Sequence, residues 1–230
     1  MNAFFETSVF FGVVVSLLSY GIGILLKKRL GLGIFNPLLI SIIITIAFLK
    51  LFHIDYATYN EGAKYLSYLL TPATVSLAIP LYDQLSVLKK NWKAILAGIA
   101  SGVLTSLLCV LALVLLFGLT HEEYVTLLPK SITTAIGIGV SEELGGYVSI
   151  TAAVIIITGV LGNVIGETLL MLFHITEPVA KGVALGSSSH AIGTAKAMEL
   201  GEVEGAISSL SIVVAGIMTV IGASIFAQLL

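Results

Sequence analysis

Residues 94–120 read AILAGIASGVLTSLLCVLALVLLFGLT, an apolar run without one charged side chain. A helix needs about 20 consecutive apolar residues to cross the hydrocarbon core of a bilayer, so this run predicts a membrane span. Working outward from it, further charge-free runs cover residues 7–26, 30–49, 144–166 and 205–230. Residues 65–82 are borderline in length and carry Pro72 and Pro80, which predicts a broken or kinked span. The composition agrees. Hydrophobic residues make up 57% of the chain and charged residues 10%, against about 25% charged in a soluble domain. Mean hydropathy is +1.09. The expected fold is all-α, a polytopic transmembrane helical protein of the inner or plasma membrane.

Charge and cysteine content narrow the classes further. A formal charge of −2 offers no footing for nucleic acid. Cys109 is the only cysteine and sits inside an apolar run, so neither a disulfide framework nor a cysteine metal site is expected. Glu6 precedes the first run and Lys27, Lys28 and Arg29 follow it. That order predicts a retained span whose C-terminal end faces the cytoplasm, not a signal peptide. Lys89, Lys90 and Lys93 fall on the same side two spans later. The loops with His53, Asp55 and Glu61, and with His121, Glu122 and Glu123, fall on the other. Tyr82 and Trp92 flank the second basic loop, where interfacial aromatics belong.

Two stretches, 124–146 and 178–201, are too polar and glycine-rich for ordinary spans. They share a pattern. Ala135-Ile136-Gly137 with Glu143-Leu144-Gly145 matches Ala191-Ile192-Gly193 with Glu199-Leu200-Gly201 at an offset of 56 residues. Ser131 matches Ser187, and Val164-Ile165-Gly166 matches Val220-Ile221-Gly222, at the same offset. The pattern predicts an internal repeat of two units, 124–172 and 178–230, each a short Gly/Ser-rich segment followed by a long apolar helix. Paired, interrupted segments in corresponding positions point to a transporter's binding site. Non-helical backbone is tolerated at membrane depth only where it is buried in protein or lines a wet cavity. Each short segment is either a re-entrant hairpin, which makes the units inverted, or a broken full span, which makes them parallel. Lys181 lies on the basic side only in the hairpin arrangement, which tilts the reading toward inverted units.

The first segment brings Lys130, Ser131, Thr133, Thr134 and Gly137, a cation and hydroxyls near a break that would suit a carboxylate. The second brings Ser187, Ser188, Ser189, His190, Gly193 and Thr194. Three serines and a histidine between glycines make a poor lipid-facing surface. His190 is a candidate for contact with a bound carboxylate or for carrying a coupled proton, because an imidazole titrates near neutrality. A structural reading stands beside each: Lys130 snorkelling to the interface, hydroxyls bonding back to helix carbonyls, His190 serving as a hydrogen-bonder. Asn163 and Glu167 share a helix face and are further coupling candidates, since intramembrane carboxylates are functional candidates by default. Gly98 with Gly102, and Gly162 with Gly166, have spacing that favours close helix packing. Glu142, Glu143 and Glu199 are expected to end the half-helices in solvent. No P-loop, nucleophile elbow, zinc motif or dinucleotide fingerprint is present. Ser189-His190 adjacency is not a dyad, because neighbouring helical side chains point apart. The chain is not expected to be an enzyme, to bind a metal or to need a cofactor.

The string Leu128-Pro129-Lys130-Ser131-Ile132-Thr133-Thr134, then Gly145-Gly146, then Gly186-Ser187-Ser188-Ser189-His190-Ala191-Ile192-Gly193-Thr194-Ala195-Lys196-Ala197 resembles the LrgB/CidB family. The specific motifs lie between Leu128 and Gly201; the earlier spans resemble the family only in hydrophobicity. The resemblance implies one of two functions. One is an antiholin-like regulator of murein hydrolase export and lysis, acting with a holin-like partner of the LrgA/CidA type. The other is a carrier of small monocarboxylates, as in bacterial pyruvate uptake or the plastidic glycolate/glycerate translocator. A lysis regulator needs apolar faces but no polar site at mid-membrane; a carboxylate carrier needs the duplicated half-helices. The expectation is therefore a carrier of the glycolate, glycerate, pyruvate or lactate class, coupled to H+ or Na+ where coupled. Residues 1–120 would form a scaffold through which a homodimer assembles. Residues 121–230 would form the transport unit, moving against it in an elevator-like manner.

Overall fold

The computed structural model describes residues 10–30 and 35–230. Glu6, the start of the first expected span at residues 7–9, and residues 31–34 near the start of the second lie outside the described residues. Among the described residues the regular structure is helical, with no strand. The chain divides into two compact units, residues 1–76 and 77–230.

The first unit contains α1 (Phe11–Leu30), α2 (Pro37–Leu51), α3 (Tyr56–Ser67) and α4 (Leu70–Ser76). Only α1 among them is long and apolar enough to cross a membrane; α2 has 15 residues. Asn36 starts α2 by accepting from the amides of Leu38 (2.9 Å) and Leu39 (3.2 Å) ahead of a first-turn proline. Glycines let α1 approach its neighbours closely: Gly12 packs on the backbone of α3 at Tyr59, and Gly23 on Pro37. The Ser16 and Tyr59 hydroxyls meet at 2.6 Å across the first contact.

The second unit contains α5 (Ala78–Asp83), α6 (Leu85–Phe117), α7 (His121–Leu127), α8 (Thr134–Glu143), α9 (Val148–Leu172), α10 (Pro178–Leu200) and α11 (Glu202–Phe226). The expected interrupted span at 65–82 is thus a series of short helices ending at Ser67, Ser76 and Asp83. Among the described residues, helices α6, α9 and α11 join α1 as the four of membrane-crossing length and hydropathy. Helix α6 buries Ile95, Ile99, Val103, Leu107, Val110 and Val114, a stripe repeating every three or four residues. That stripe packs with residues of α7, α10 and α11, including Tyr124, Val183 and Ile207. By packing, α6 therefore belongs with the C-terminal helices, and the compact division falls well before residue 120. Away from the core, α6 exposes Leu104, Leu108, Leu115 and Leu116, the surface a helix presents to lipid. It ends at Gly118, whose φ of 65° closes the helix in the left-handed conformation that glycine adopts without strain. A capping box between Thr120 and Glu123 then starts α7.

Helix α10 is interrupted internally. Ser189 (φ −135°, ψ 18°) and His190 (φ 43°, ψ −139°) are non-helical, and the chain doubles back there. A Cβ on Gly193 would stand against the carbonyl oxygen of Leu185, yet residues eight apart in a straight helix are separated by about 12 Å. The segment between α7 and α8 turns in the same manner: a Cβ on Gly137 would lie 3.3 Å from the carbonyl oxygen of Pro129. The pairs Pro129/Gly137 and Leu185/Gly193 stand 56 residues apart. So do Thr133, at the N-cap of α8, and Ser189, where α10 breaks. A third pair of contacts keeps the spacing. Thr151 meets Thr126 at 3.0 Å, and Gly182 packs on Ile207.

Residue pairings fix the directions of these helices. Gly162 packs on Ser189 and Gly166 on Leu185, so the first arm of α10 runs against α9. Asn163 Nδ2 donates to Ile192 O at 2.7 Å and Glu167 pairs with Lys196, so the second arm runs with α9. The first arm places Gly182 on Glu204 O and Gly186 on Ser208 O, in step with α11. The second places Thr194 on Ser208 and Met198 on Gly205, against it. Helices α9 and α11 consequently run in opposite senses with a two-armed α10 between them. Tyr147 at the start of α9 donates to Glu122 Oε2 (2.7 Å), and Tyr124 of α7 donates to Phe226 O (3.1 Å). The starts of α7 and α9 and the end of α11 therefore share one end of the unit. The bond to Glu122 also holds the exposed Tyr147 phenol above its ordinary pKa.

Candidate functional site

Both turning points converge on α6 and α9. Along α6, Ser106 Oγ lies 3.3 Å from Ser131 Oγ, and Gly102 faces the Ser187 hydroxyl. Four residues of helix separate these contacts, a rise of about 6 Å. On α9, Ile155 serves both breaks: its side chain covers Gly137, and its carbonyl oxygen lies 3.0 Å from His190 Nε2. His190 is buried at a backbone conformation that L-residues rarely adopt. Gly159 makes room for its ring, since a Cβ there would approach Cε1 to 2.6 Å.

The polar groups around the first break are few and close. Lys130 Nζ, half-buried, donates to Ser131 Oγ at 3.0 Å, and Ser131 is buried. Thr133 occupies the N-cap of α8 without a side-chain cap bond, and Thr134 begins the helix. Helix starts leave their first amides without intrahelical partners. Gly137 is buried against Ile155 and Pro129.

Around the second break, Ser187 is buried and its Oγ donates to Val183 O (2.7 Å), within its own arm. Ser188 is exposed, with its hydroxyl 3.0 Å from that of the buried Ser189. Thr194 Oγ1 meets Ser208 Oγ at 2.7 Å and His190 O at 3.1 Å. Gly193 is where the two arms touch. Each break supplies a half-helix N-terminus with hydroxyls beside it, an arrangement able to hold a small anion through amides and the positive end of the dipole.

The remaining candidates sit farther along α9. Asn163 anchors the second arm through Ile192 O. Glu167 is not among the groups at the breaks. It stands about 7.5 Å of helix rise beyond Gly162, which packs on the break at Ser189, and pairs with Lys196 at 2.6 Å, while Lys196 also reaches Glu199 at 3.3 Å. Glu199 is thus part of an ion-pair group on the exposed side of the arm. Sequence reasoning did not single out Ser106, Ile155 or this use of Lys196. Ser106 and Ile155 lie in apolar runs and give no local signal, whereas Lys196 stands inside the distinctive motif. Among the described residues no group of three or more His, Cys, Asp or Glu is placed to hold a metal.

A cavity of about 620 Å³ opens between the first half of α6 and the first arm of α10. Asn91 and Glu177 line one part of it, and Ser187 and Ser188 line another. Small residues, among them Gly98, Gly102, Ala180 and Ala184, form much of the wall.

Four long apolar helices joined by turns and two doubled-back segments define a multi-pass α-helical membrane protein. The chain belongs to the LrgB-like family, whose model matches residues 16–229. It is 41% identical over 224 residues to the antiholin-like protein LrgB of Bacillus subtilis (strain 168), with 97% of each chain covered. It is likewise 41% identical over 213 residues to the antiholin-like protein LrgB of Bacillus cereus (strain B4264), covering 92% of this chain and 93% of that one. No solved structure matches the chain. The family expected from the motifs is the family found.

Proposed function

We propose that the protein is a membrane carrier of small monocarboxylates of the glycolate, glycerate, pyruvate or lactate class. The observation that carries this reading is the meeting of two doubled-back segments at Ile155. Each brings a half-helix N-terminus to the same region of the unit. In this reading the units 124–172 and 178–230 are an inverted duplication whose re-entrant hairpins enter the bilayer from opposite faces. The opposite senses of α9 and α11 and the recurring 56-residue spacing of contacts support it. A bound carboxylate would draw on the amides at Thr134 and His190 and on the hydroxyls of Ser131, Thr133, Thr134, Ser187, Ser188, Ser189 and Thr194. Lys130 would supply the opposing charge, with Gly137 and Gly193 allowing close approach of the chain. His190, Asn163 and Glu167 are the groups through which H+ or Na+ coupling would act. A homodimer built on the N-terminal helices and an elevator-like movement complete the reading.

A second reading is favoured by the names of the Bacillus relatives, which are antiholin-like proteins. The chain would then regulate murein hydrolase export and lysis, together with a holin-like membrane protein of the LrgA/CidA type. Uptake of labelled glycolate, pyruvate and lactate into liposomes carrying the purified protein separates the two. Saturable uptake that is lost in Ser189→Ala and His190→Ala supports the carrier. Absence of uptake of all three acids by folded protein in both orientations would move the assignment to the regulator.

A further inference from the structure

The segments at α7 and α10 match at 56 residues but differ in side-chain size where the cavity lies. Ala180, Ala184 and Ser188 line the cavity. Their matching positions hold Tyr124, Leu128 and Ile132, each no more than 1% exposed. Three large buried side chains thus occupy, on the first segment, the positions that three small ones leave open on the second. The asymmetry is written in side-chain volume, so it belongs to the sequence and not to one passing conformation.

The two parts of the cavity also differ in character. Asn91 and Glu177 lie where Lys89, Lys90 and Lys93 are exposed and where Lys181 follows Ala180. The same end carries carboxylates as well, since Glu204 packs on Gly182 and Glu199 closes the second arm, so the surroundings are of mixed charge. The hydroxyls of Ser187 and Ser188, beside the break of α10, line its other part. An opening that leads to hydroxyls beside a half-helix N-terminus suits a small organic anion.

We infer that this cavity is a one-sided access path by which a small organic anion reaches the break at Ser189–His190 from the end carrying Asn91, Glu177 and the lysines, while the matching path along α7 is permanently filled. The inference rests on the carrier reading for its purpose, but its geometry is tested without transport. Cys109 is the only cysteine, so a Cys109→Ser background allows single thiols to be introduced. Ala184→Cys and Leu128→Cys are placed separately in full-length protein in sealed vesicles. Each is treated from either side with the membrane-impermeant anion 2-sulfonatoethyl methanethiosulfonate and with its trimethylammonium counterpart.

The thiol at 184 is expected to react from one side only, the side on which a thiol introduced at Lys90 also reacts. The thiol at 128 is expected to react from neither. Relative to their rates with a small thiol in water, the anionic reagent should react at 184 several-fold faster than the cationic one. Protection of 184 from both sides, comparable labelling at 128, or faster reaction of the cation overturns the inference. If Leu128→Cys does not fold, Ile132→Cys takes its place with the same expectation. One-sided labelling without uptake of any acid would leave the path standing and remove the carrier; uptake without labelling at 184 would do the reverse.

Discussion

His190 Nε2 lies 3.0 Å from the carbonyl oxygen of Ile155 and so ties the turning point of α10 to α9. The residue that makes this bond is also the one with the unfavourable backbone, at φ 43° and ψ −139°. Such strain costs on the order of 1–3 kcal/mol and persists only where the surroundings impose it. The ring contact with Ile155 and the space left by Gly159 impose it here. Replacement should separate the two effects. His190→Ala loses the bond and keeps the strain, whereas His190→Gly loses the bond and relieves the strain. The glycine variant is therefore expected to be more stable by about 1 kcal/mol, read as a higher melting temperature in detergent. Both should lose uptake, since neither restores the side chain. Equal melting of the two variants would count against a strained turn.

The close approach of α9 to the break of α10 depends on glycine at position 162. A Cβ there would collide with the Ser189 side chain, and overpacking of this kind costs about 1–3 kcal/mol. Gly162→Ala should therefore lower the melting temperature and impair uptake. Gly139, inside α8, is different: a Cβ there would meet no neighbouring atom within 4 Å. Gly139→Ala should be neutral or stabilising by up to about 1 kcal/mol through helix propensity. Parallel thermal melts of the two variants check the contrast.

Four of the five charge-free runs were legible as spans because length and absence of charge suffice to recognise a membrane helix, whereas the run 30–49 holds only the 15-residue α2 among the described residues. Residues 94–120 therefore located α6, although its helix begins earlier, at Leu85, where Lys89, Lys90 and Lys93 interrupt the apolar run. The breaks were legible because glycine and hydroxyl residues recurred at one offset. What stayed hidden was pairing across space. Nothing local to Ile155 marks it as the meeting point of Gly137 and His190, since one contact uses an ordinary aliphatic side chain and the other a backbone carbonyl. Glu167 was legible as an unusual carboxylate, but its partner Lys196 lies on another helix, so its distance from the breaks was not.

That ion pair yields an asymmetric prediction. Lys196 touches both Glu167 (2.6 Å) and Glu199 (3.3 Å), and its side chain is 15% exposed against 44% for Glu167. Removing Glu167 leaves the lysine with Glu199. Removing the lysine withdraws the cation from both carboxylates at once. Glu167→Gln is expected to cost less than about 1 kcal/mol, in the range of partly exposed pairs, and Lys196→Met more than that. Lys196→Arg should come close to wild type. Thermal stability measurements in detergent read the order, and a more damaging Glu167→Gln would show that the pair does not work in this way. Where uptake is proton-driven, Glu167→Gln should also change its dependence on the pH gradient if the carboxylate carries the coupled proton.

At the end of the unit opposite Asn91 and Glu177, the first hairpin is tied to α9 by hydroxyls. Thr151 Oγ1 lies 3.0 Å from Thr126 O and 2.7 Å from Ser141 Oγ, so one side chain of α9 joins α7 and α8. Thr126 Oγ1 in turn accepts from the Tyr147 amide at 2.7 Å, fixing the start of α9. Thr151 and Ser141 are both fully buried, and a buried hydroxyl stripped of its partner costs about 1–3 kcal/mol. Thr151→Val leaves Ser141 in that state and should destabilise within that range. Ser141→Ala leaves Thr151 its bond to Thr126 O and should cost less. The double variant has no orphaned hydroxyl, so its cost should fall below the sum of the two single costs. Melting temperatures of the three variants check the order, and strict additivity would mean that the hydroxyls do not act as one group. A hairpin held this firmly to its long helix suits the segment whose side path is filled by Tyr124, Leu128 and Ile132. The doubled-back α10 lacks that filling beside α6, where the proposed access path lies.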